Sequence, residues 1–116
     1  MLKLLFLFYR PADPTHFSRF YHEGFAPLAR TLPGLQTLVS SEVKGDLLAV
    51  HNRYYLTCEL YFANREDFAT ALRSDTYQQL GRVLSGLAGD EVTVLVTESG
   101  ASDKQPSLTR FEELTL

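Results

Sequence analysis

Residues 54–63 read Tyr54-Tyr55-Leu56-Thr57-Cys58-Glu59-Leu60-Tyr61-Phe62-Ala63, and Asn64 follows. Aromatic and β-branched residues alternate there with Leu and Cys, the pattern of a strand with one buried face. Asn64 is a good N-cap for a helix, and Asp67 stands at its third position, where an acid meets the positive end of the helix dipole. That helix turns Phe68, Ala71 and Leu72 inward. Ser74-Asp75 breaks it and caps a second stretch, along which Tyr77, Leu80, Val83, Leu84 and Leu87 continue an apolar stripe. Gly86, Gly89 and Asp90 end the stripe, and the β-branched residues of 92–97 predict another strand.

Working back toward the N-terminus, residues 35–43 alternate well enough for a strand, and Lys44-Gly45-Asp46 bends the chain into a loop over 46–53. Before it, Phe17, Phe20, Tyr21, Phe25, Leu28 and Leu32 fall three and four apart, one face of a helix. Asp13-Pro14 starts that helix, a side-chain acceptor followed by proline in the first turn. Leu32-Pro33-Gly34 stops it. Residues 2–9 are a short apolar and aromatic run that predicts a first strand. A signal peptide is not expected, because Tyr9-Arg10-Pro11 stands where a small-residue cleavage site belongs. No run approaches the ~18 apolar residues of a membrane span.

The order strand, helix, strand, strand, helix, strand is that of the ferredoxin-like β-α-β-β-α-β fold, an α+β class with a four-stranded antiparallel sheet and its helices on one face. Strand alternation predicts two unlike faces. Leu4, Phe6, Phe8, Leu35, Val39, Val43, Leu56, Cys58, Leu60, Phe62, Val92, Val94 and Val96 make one, expected under the helices. Leu5, Leu7, Tyr9, Leu38, Ser40, Glu42, Tyr55, Thr57, Glu59, Tyr61, Thr93, Leu95 and Thr97 make the other. That second face is too apolar to stay in water, so a two-fold homodimer through the sheet face is expected to cover it. Glu59 on it is expected to pair across such a dimer with Arg53 or Lys3. The domain is assigned to residues 1–98. Residues 99–116 form a C-terminal extension, polar at first and apolar at its end, which reads as a docking arm.

The chain has 116 residues, 45% of them apolar and 22% charged, with a net charge of −3. These values suit one globular domain. The basic residues are scattered, which argues against a nucleic-acid partner. A single cysteine, Cys58, excludes an internal disulfide and points to a reducing, cytoplasmic setting; on a buried strand face it packs as an inert small hydrophobe. His16, His22 and His51 show no i, i+4 pairing and no carboxylate motif, so no zinc site is expected. Phosphate loops, nucleophile elbows and dinucleotide fingerprints are absent from the sequence.

The stretch Phe20-Tyr21-His22-Glu23-Gly24-Phe25-Ala26-Pro27-Leu28-Ala29-Arg30-Thr31-Leu32-Pro33-Gly34-Leu35 resembles the EthD-like family of the dimeric α+β barrel superfamily. So do Lys3-Leu4-Leu5-Phe6-Leu7 with Arg10-Pro11, the strand Tyr54 to Phe62, and Val92-Thr93-Val94-Leu95-Val96-Thr97-Glu98. The resemblance covers residues 1–98. It implies a homodimer with sheets packed face to face. It also implies a function among cofactor-free monooxygenases, isomerases, decarboxylases and proteins linked to ether degradation. Two departures stand out. Phe25 occupies the position, two before the proline of the Pro-Leu pair, where the family usually has histidine, and Leu87 replaces a frequent aromatic. Both make the expected pocket between helix and sheet more apolar. On this reading His22 and Tyr21 are the candidate catalytic residues, and Phe25, Tyr54, Phe6 and Leu87 line a site for a small apolar ligand. The expected activity is a cofactor-independent oxidoreductase acting on an apolar or aromatic metabolite. The alternative is a non-catalytic ligand-binding or assembly module with a degenerate site.

Overall fold

The turn Arg10-Pro11-Ala12-Asp13 delivers the chain from strand to helix through one side chain. Asp13 accepts hydrogen bonds from the backbone N–H of Thr15 (3.1 Å) and His16 (3.2 Å), and Pro14 opens the first turn. These are the donors a helix start leaves without internal partners. The structure, a computed structural model, describes residues 1–49, 51–87 and 91–100. In chain order the elements are β1 (Leu2–Tyr9), α1 (Pro14–Arg19), a π-helical segment (Phe20–Phe25), α2 (Ala26–Ala29), β2 (Leu35–Glu42), β3 (Tyr54–Phe62), α3 (Arg65–Leu72), α4 (Asp75–Leu84) and β4 (Val92–Glu98). The sheet order is β2-β3-β1-β4, antiparallel throughout. This is the expected ferredoxin-like fold. Most of the extension lies outside the described residues; of it, Ser99 donates its backbone N–H to the Met1 carbonyl at 3.0 Å.

The first helix changes register where proline requires it. Pro27 has no N–H, and in a regular turn its ring presses on the carbonyl of Glu23. The wider π turn gives that ring room, and the Ala26 N–H reaches back five residues to the Tyr21 carbonyl. Regular spacing resumes with the Arg30 N–H on the Ala26 carbonyl at 3.0 Å. Such single wide turns inside α-helices recur at functional sites.

The core lies between the helices and the two central strands. Leu2, Leu4, Phe6 and Phe8 of β1 and Leu56, Cys58, Leu60 and Phe62 of β3 are buried, as are Phe17, Tyr21, Phe25, Ala26, Ala29 and Leu32 above them. Phe68, Ala71 and Leu80 complete it from α3 and α4. The edge strands extend past this cover, so Val94 and Val96 on the helix side of β4 keep 41% and 56% of their surface exposed.

Two bulges correct the expected faces. One falls between Leu35 and Thr37, where the pairing of β2 with β3 slips. Beyond it Leu38 stands opposite Leu60, Ser40 opposite Cys58 and Glu42 opposite Leu56. Leu38, Ser40 and Glu42 therefore share the helix side, and Val39, expected there, faces outward opposite Glu59. The second falls between Phe8 and Tyr9, so Phe8 meets Leu56 and Tyr9 meets Tyr54. It places Tyr55 beneath α1, where its ring meets Phe17 edge-on at 5.5 Å. Each bulge inserts one residue and inverts every side chain after it. Glu59 pairs with Lys3 within the same chain at 2.8 Å.

Candidate functional site

The first helix meets the sheet through aromatic rings. Phe6 and Phe25 meet edge-to-face at 5.1 Å, and Phe8 contacts Phe17, Phe20, Tyr21 and Phe25 at 5.3–6.3 Å, all edge-on. These separations and tilts are those favoured by the ring quadrupoles. Phe6, Tyr21 and Phe25 are thereby brought together as expected, but as mutual packing partners. Their rings fill the space in which a ligand pocket was expected.

One polar thread crosses this layer. The Tyr21 hydroxyl hydrogen-bonds the Ser40 hydroxyl and also interacts with the Cys58 thiol. Burial holds the Tyr21 phenol well above its ordinary range, with the thiol adding to the effect. Burial likewise pushes the Cys58 thiol up to about 11, against the opposing pull of Tyr21 and Arg30. Neither group ionises near neutral pH. Tyr21 is held as a phenol and Cys58 as a buried, packed thiol.

Hollow space begins where the rings end. A hollow of about 100 Å³ lies between α1 and the ends of β2 and β3, lined by Phe17, Ser18, His22, Glu42, Tyr55 and Leu56. Ser18 and His22 also line a shallower groove of about 440 Å³ along the outer side of the first helix, with Arg19 and Glu23. The exposed His22 imidazole stands edge-on to the buried Tyr21 ring at 5.2 Å. Glu42 is held by Lys44 Nζ at 2.8 Å, and that hydrogen bond keeps its carboxyl below the usual range. An imidazole, a carboxylate and a phenol thus border one small cavity, a set able to accept, hold and return a proton. Glu42 and Tyr55 were assigned by alternation to the opposite face, and only the two bulges bring them here.

Tyr54 and Leu87 do not join this group. Tyr54 stands on the outer face of the sheet, its ring 5.4 Å from that of Tyr9 and beneath the Arg53 guanidinium. Leu87 borders a separate hollow of about 210 Å³ with Pro11, His16 and Glu91, on the far side of Phe17. Among the described residues no group of three or more His, Cys, Asp or Glu side chains is placed to hold a metal ion, and no helix is long and apolar enough to cross a membrane.

Comparison with known proteins agrees with this architecture. The sequence profile of the EthD domain matches residues 10–92. An ethyl tert-butyl ether D (EthD) family protein from Bacillus halodurans superposes with a TM-score of 0.79 at 30% identity, over 86% of this chain and 99% of that one. A dimeric ferredoxin-like protein of unknown function from Jannaschia superposes with a TM-score of 0.62 at 21% identity, over 85% and 100% of the two chains. A candidate antibiotic biosynthesis monooxygenase from Deinococcus radiodurans gives 0.62 at 17% identity, over 88% and 95%. No curated protein matches the sequence. A ferredoxin-like sheet roofed by a proline-widened first helix, and a profile match spanning most of the described residues, carry one conclusion: the chain belongs to the EthD domain family.

Proposed function

We propose that this protein is a small-molecule oxidoreductase of the cofactor-independent kind, working as a homodimer in a reducing cytoplasm, with His22 as its proton acceptor. The observation that carries the reading is the position of His22. Its imidazole borders both the 100 Å³ hollow and the outer groove. The hollow, walled on one side by Phe17, Tyr55 and Leu56, takes the reacting end of an apolar or aromatic substrate with its acidic C–H or O–H, and the polar groove along Ser18, Arg19 and Glu23 takes any polar substituent it carries. His22 removes that proton; the substrate carbanion adds to dioxygen to give a peroxide, which takes the proton back from the imidazolium, and loss of water from the hydroperoxide leaves a carbonyl, so one oxygen atom enters the product and the other leaves as water. Glu42 and Tyr55 border the same space and stabilise charge as it moves. Tyr21 fixes the helix face from which His22 projects. The monooxygenase-like fold relative from Deinococcus radiodurans is consistent with this chemistry.

Dimerisation is supported by the outer face of the sheet. Leu5 and Leu7 are half-buried there, while Val39 and Leu95 leave 38% and 43% of their surface in water. A second copy on that face removes this apolar surface from water, as the Jannaschia relative's dimeric state suggests.

One observation favours a second reading, a ligand-binding or assembly module without turnover. Phe25 is fully buried and fills the place of the family histidine. The remaining hollow is also well below the roughly 300 Å³ at which ligand pockets usually begin. Incubation with anthrones and quinols under air, with and without a chelator, separates the two. Turnover that survives chelation and falls at least about tenfold in His22→Ala, an increase in barrier of about 1.4 kcal/mol, supports the enzyme. Saturable binding with no product in the wild type supports the module and removes the catalytic role of His22.

A further inference from the structure

At the end of β1 the chain builds a second, larger cleft that the proton-transfer reading does not use. It measures about 890 Å³ and is lined by Tyr9, Arg10, Lys44, Asp46, His51 and Arg53 among others. We propose that this cleft binds a small organic or inorganic oxyanion through the paired guanidinium groups of Arg10 and Arg53.

The two arginines are held side by side by the backbone. The Arg10 N–H donates to the Arg53 carbonyl at 2.7 Å. Each side chain is then oriented by an uncharged partner. Arg10 Nε and Nη2 donate to the Asn52 carbonyl at 3.3 and 3.2 Å. The Arg53 guanidinium lies over the Tyr54 ring, 5.9 Å from its centroid. Asn52 is itself fixed, its Oδ1 accepting the Tyr54 N–H at 3.1 Å.

No carboxylate among the described residues neutralises their charge. Among the described residues the ion pairs are Lys3–Glu59, Lys44–Glu42 and Arg65–Glu98, so neither Arg10 nor Arg53 meets a carboxylate. The acid in the cleft wall, Asp46, accepts the Leu48 N–H at 2.9 Å, which turns it toward its own loop. The chain as a whole carries −3, so a corner with two arginines unpaired among the described residues departs from the molecule's own balance. A guanidinium presents parallel N–H groups that match the oxygens of a carboxylate or phosphate; with the Arg10 Nε–Nη2 edge on Asn52, its remaining Nη1–Nη2 edge and the Arg53 fork are left to meet an oxyanion. Exposure of both side chains sets the expected affinity at about millimolar.

The test is a titration of the full-length, nitrogen-15-labelled protein with sodium benzoate and, separately, inorganic phosphate, with sodium chloride at matched ionic strength as the control. Saturable shifts are expected at the Arg10 and Arg53 Nε–H groups and at the backbone amides of 51–53. The anion that saturates at lower concentration identifies the ligand as a carboxylate or a phosphate. Arg10→Lys and Arg53→Lys retain the charge and lose the fork, so each is expected to weaken binding about tenfold. Shifts no larger than those from chloride, or affinity unchanged in both lysine variants, overturn the proposal. Both side chains are exposed, Arg10 bonding the Asn52 carbonyl and Arg53 lying over Tyr54, so spectral changes in the variants are expected to stay confined to residues near 10 and 52–54, which separates lost binding from lost structure.

Discussion

Cys58 shows how burial alone sets the behaviour of a reactive residue type. Its thiol is fully buried between Tyr21 and the sheet, and its ionisation moves from 9.0 to about 11. Between those pH values the unfolded chain releases a proton that the folded protein keeps. Stability from this source is therefore complete below pH 9 and is lost as pH climbs through 11, on the order of 2 kcal/mol in all. Cys58→Ala removes that dependence while leaving a cavity that costs about 1–2 kcal/mol at every pH. Urea unfolding across pH 7–11 is expected to show the variant weaker at pH 7 but flatter above pH 9, with a smaller Tyr21 contribution left in it because the thiol no longer adds to that shift. Parallel curves would show that the thiol carries no such linkage. The inward position and inertness of Cys58 were readable from the sequence, since it lies two from Leu56 and Leu60 on one strand face. Its contact with Tyr21 was not, because that hydroxyl comes from a helix distant in sequence and only packing brings the two together.

The elements themselves were legible nearly residue by residue, because each has a chemical start and stop. Asn64 accepts the Asp67 N–H at 2.8 Å and Ser74 accepts the Tyr77 N–H at 3.2 Å, so the caps expected for α3 and α4 are formed. What alternation could not show was a bulge, since one inserted residue leaves the pattern of residue types looking regular on both sides of it. Alternation therefore puts the wrong face of β2 inward, and with it Glu42, while the second bulge does the same to Tyr55 of β3, so two of the three polar groups at the candidate site escape it. The proline-driven π turn is likewise silent in a three-and-four apolar spacing. Gly34 is the point at which helix, turn and strand are joined. Its φ of 78° lies in the left-handed region, and a Cβ added there would sit 3.1 Å from the Asp67 Cβ. Gly34→Ala is expected to cost about 2 kcal/mol, from left-handed strain of about 1–2 kcal/mol together with that contact. Asn, which tolerates the left-handed region better, should lose less to backbone strain at this site while meeting the same contact. Equal urea midpoints for wild type and Gly34→Ala would mean that the turn relaxes freely.

At the scale of the whole molecule, the sheet is wider than its roof. The helices bury the inner sides of β1 and β3 and leave both edge strands partly bare, so the outer face is the larger surface still seeking cover. Composition pointed to that surplus, although β2 contributes Val39 to it and not the expected Leu38. Leu5 and Leu7 of the central strand β1 face outward, and Leu5 pairs directly with Leu95 of the edge strand β4. A single glutamate there meets its own copy or close neighbours across a two-fold axis, and the cost of burying such a charge is several kcal/mol. Within one chain the same substitution sits on an already exposed side chain, where surface changes usually fall within about 0.5 kcal/mol. Leu95→Glu is therefore expected to convert a dimer to a folded monomer, halving the mass seen by light scattering at micromolar concentration while far-ultraviolet circular dichroism stays unchanged. The wild type sedimenting as a single subunit under those conditions would refute the covered face, and with it the homodimer proposed for this chain. A variant that remains dimeric would place the contact on another surface, with the bare inner edge of β4 at Val94 and Val96 as the next position to charge.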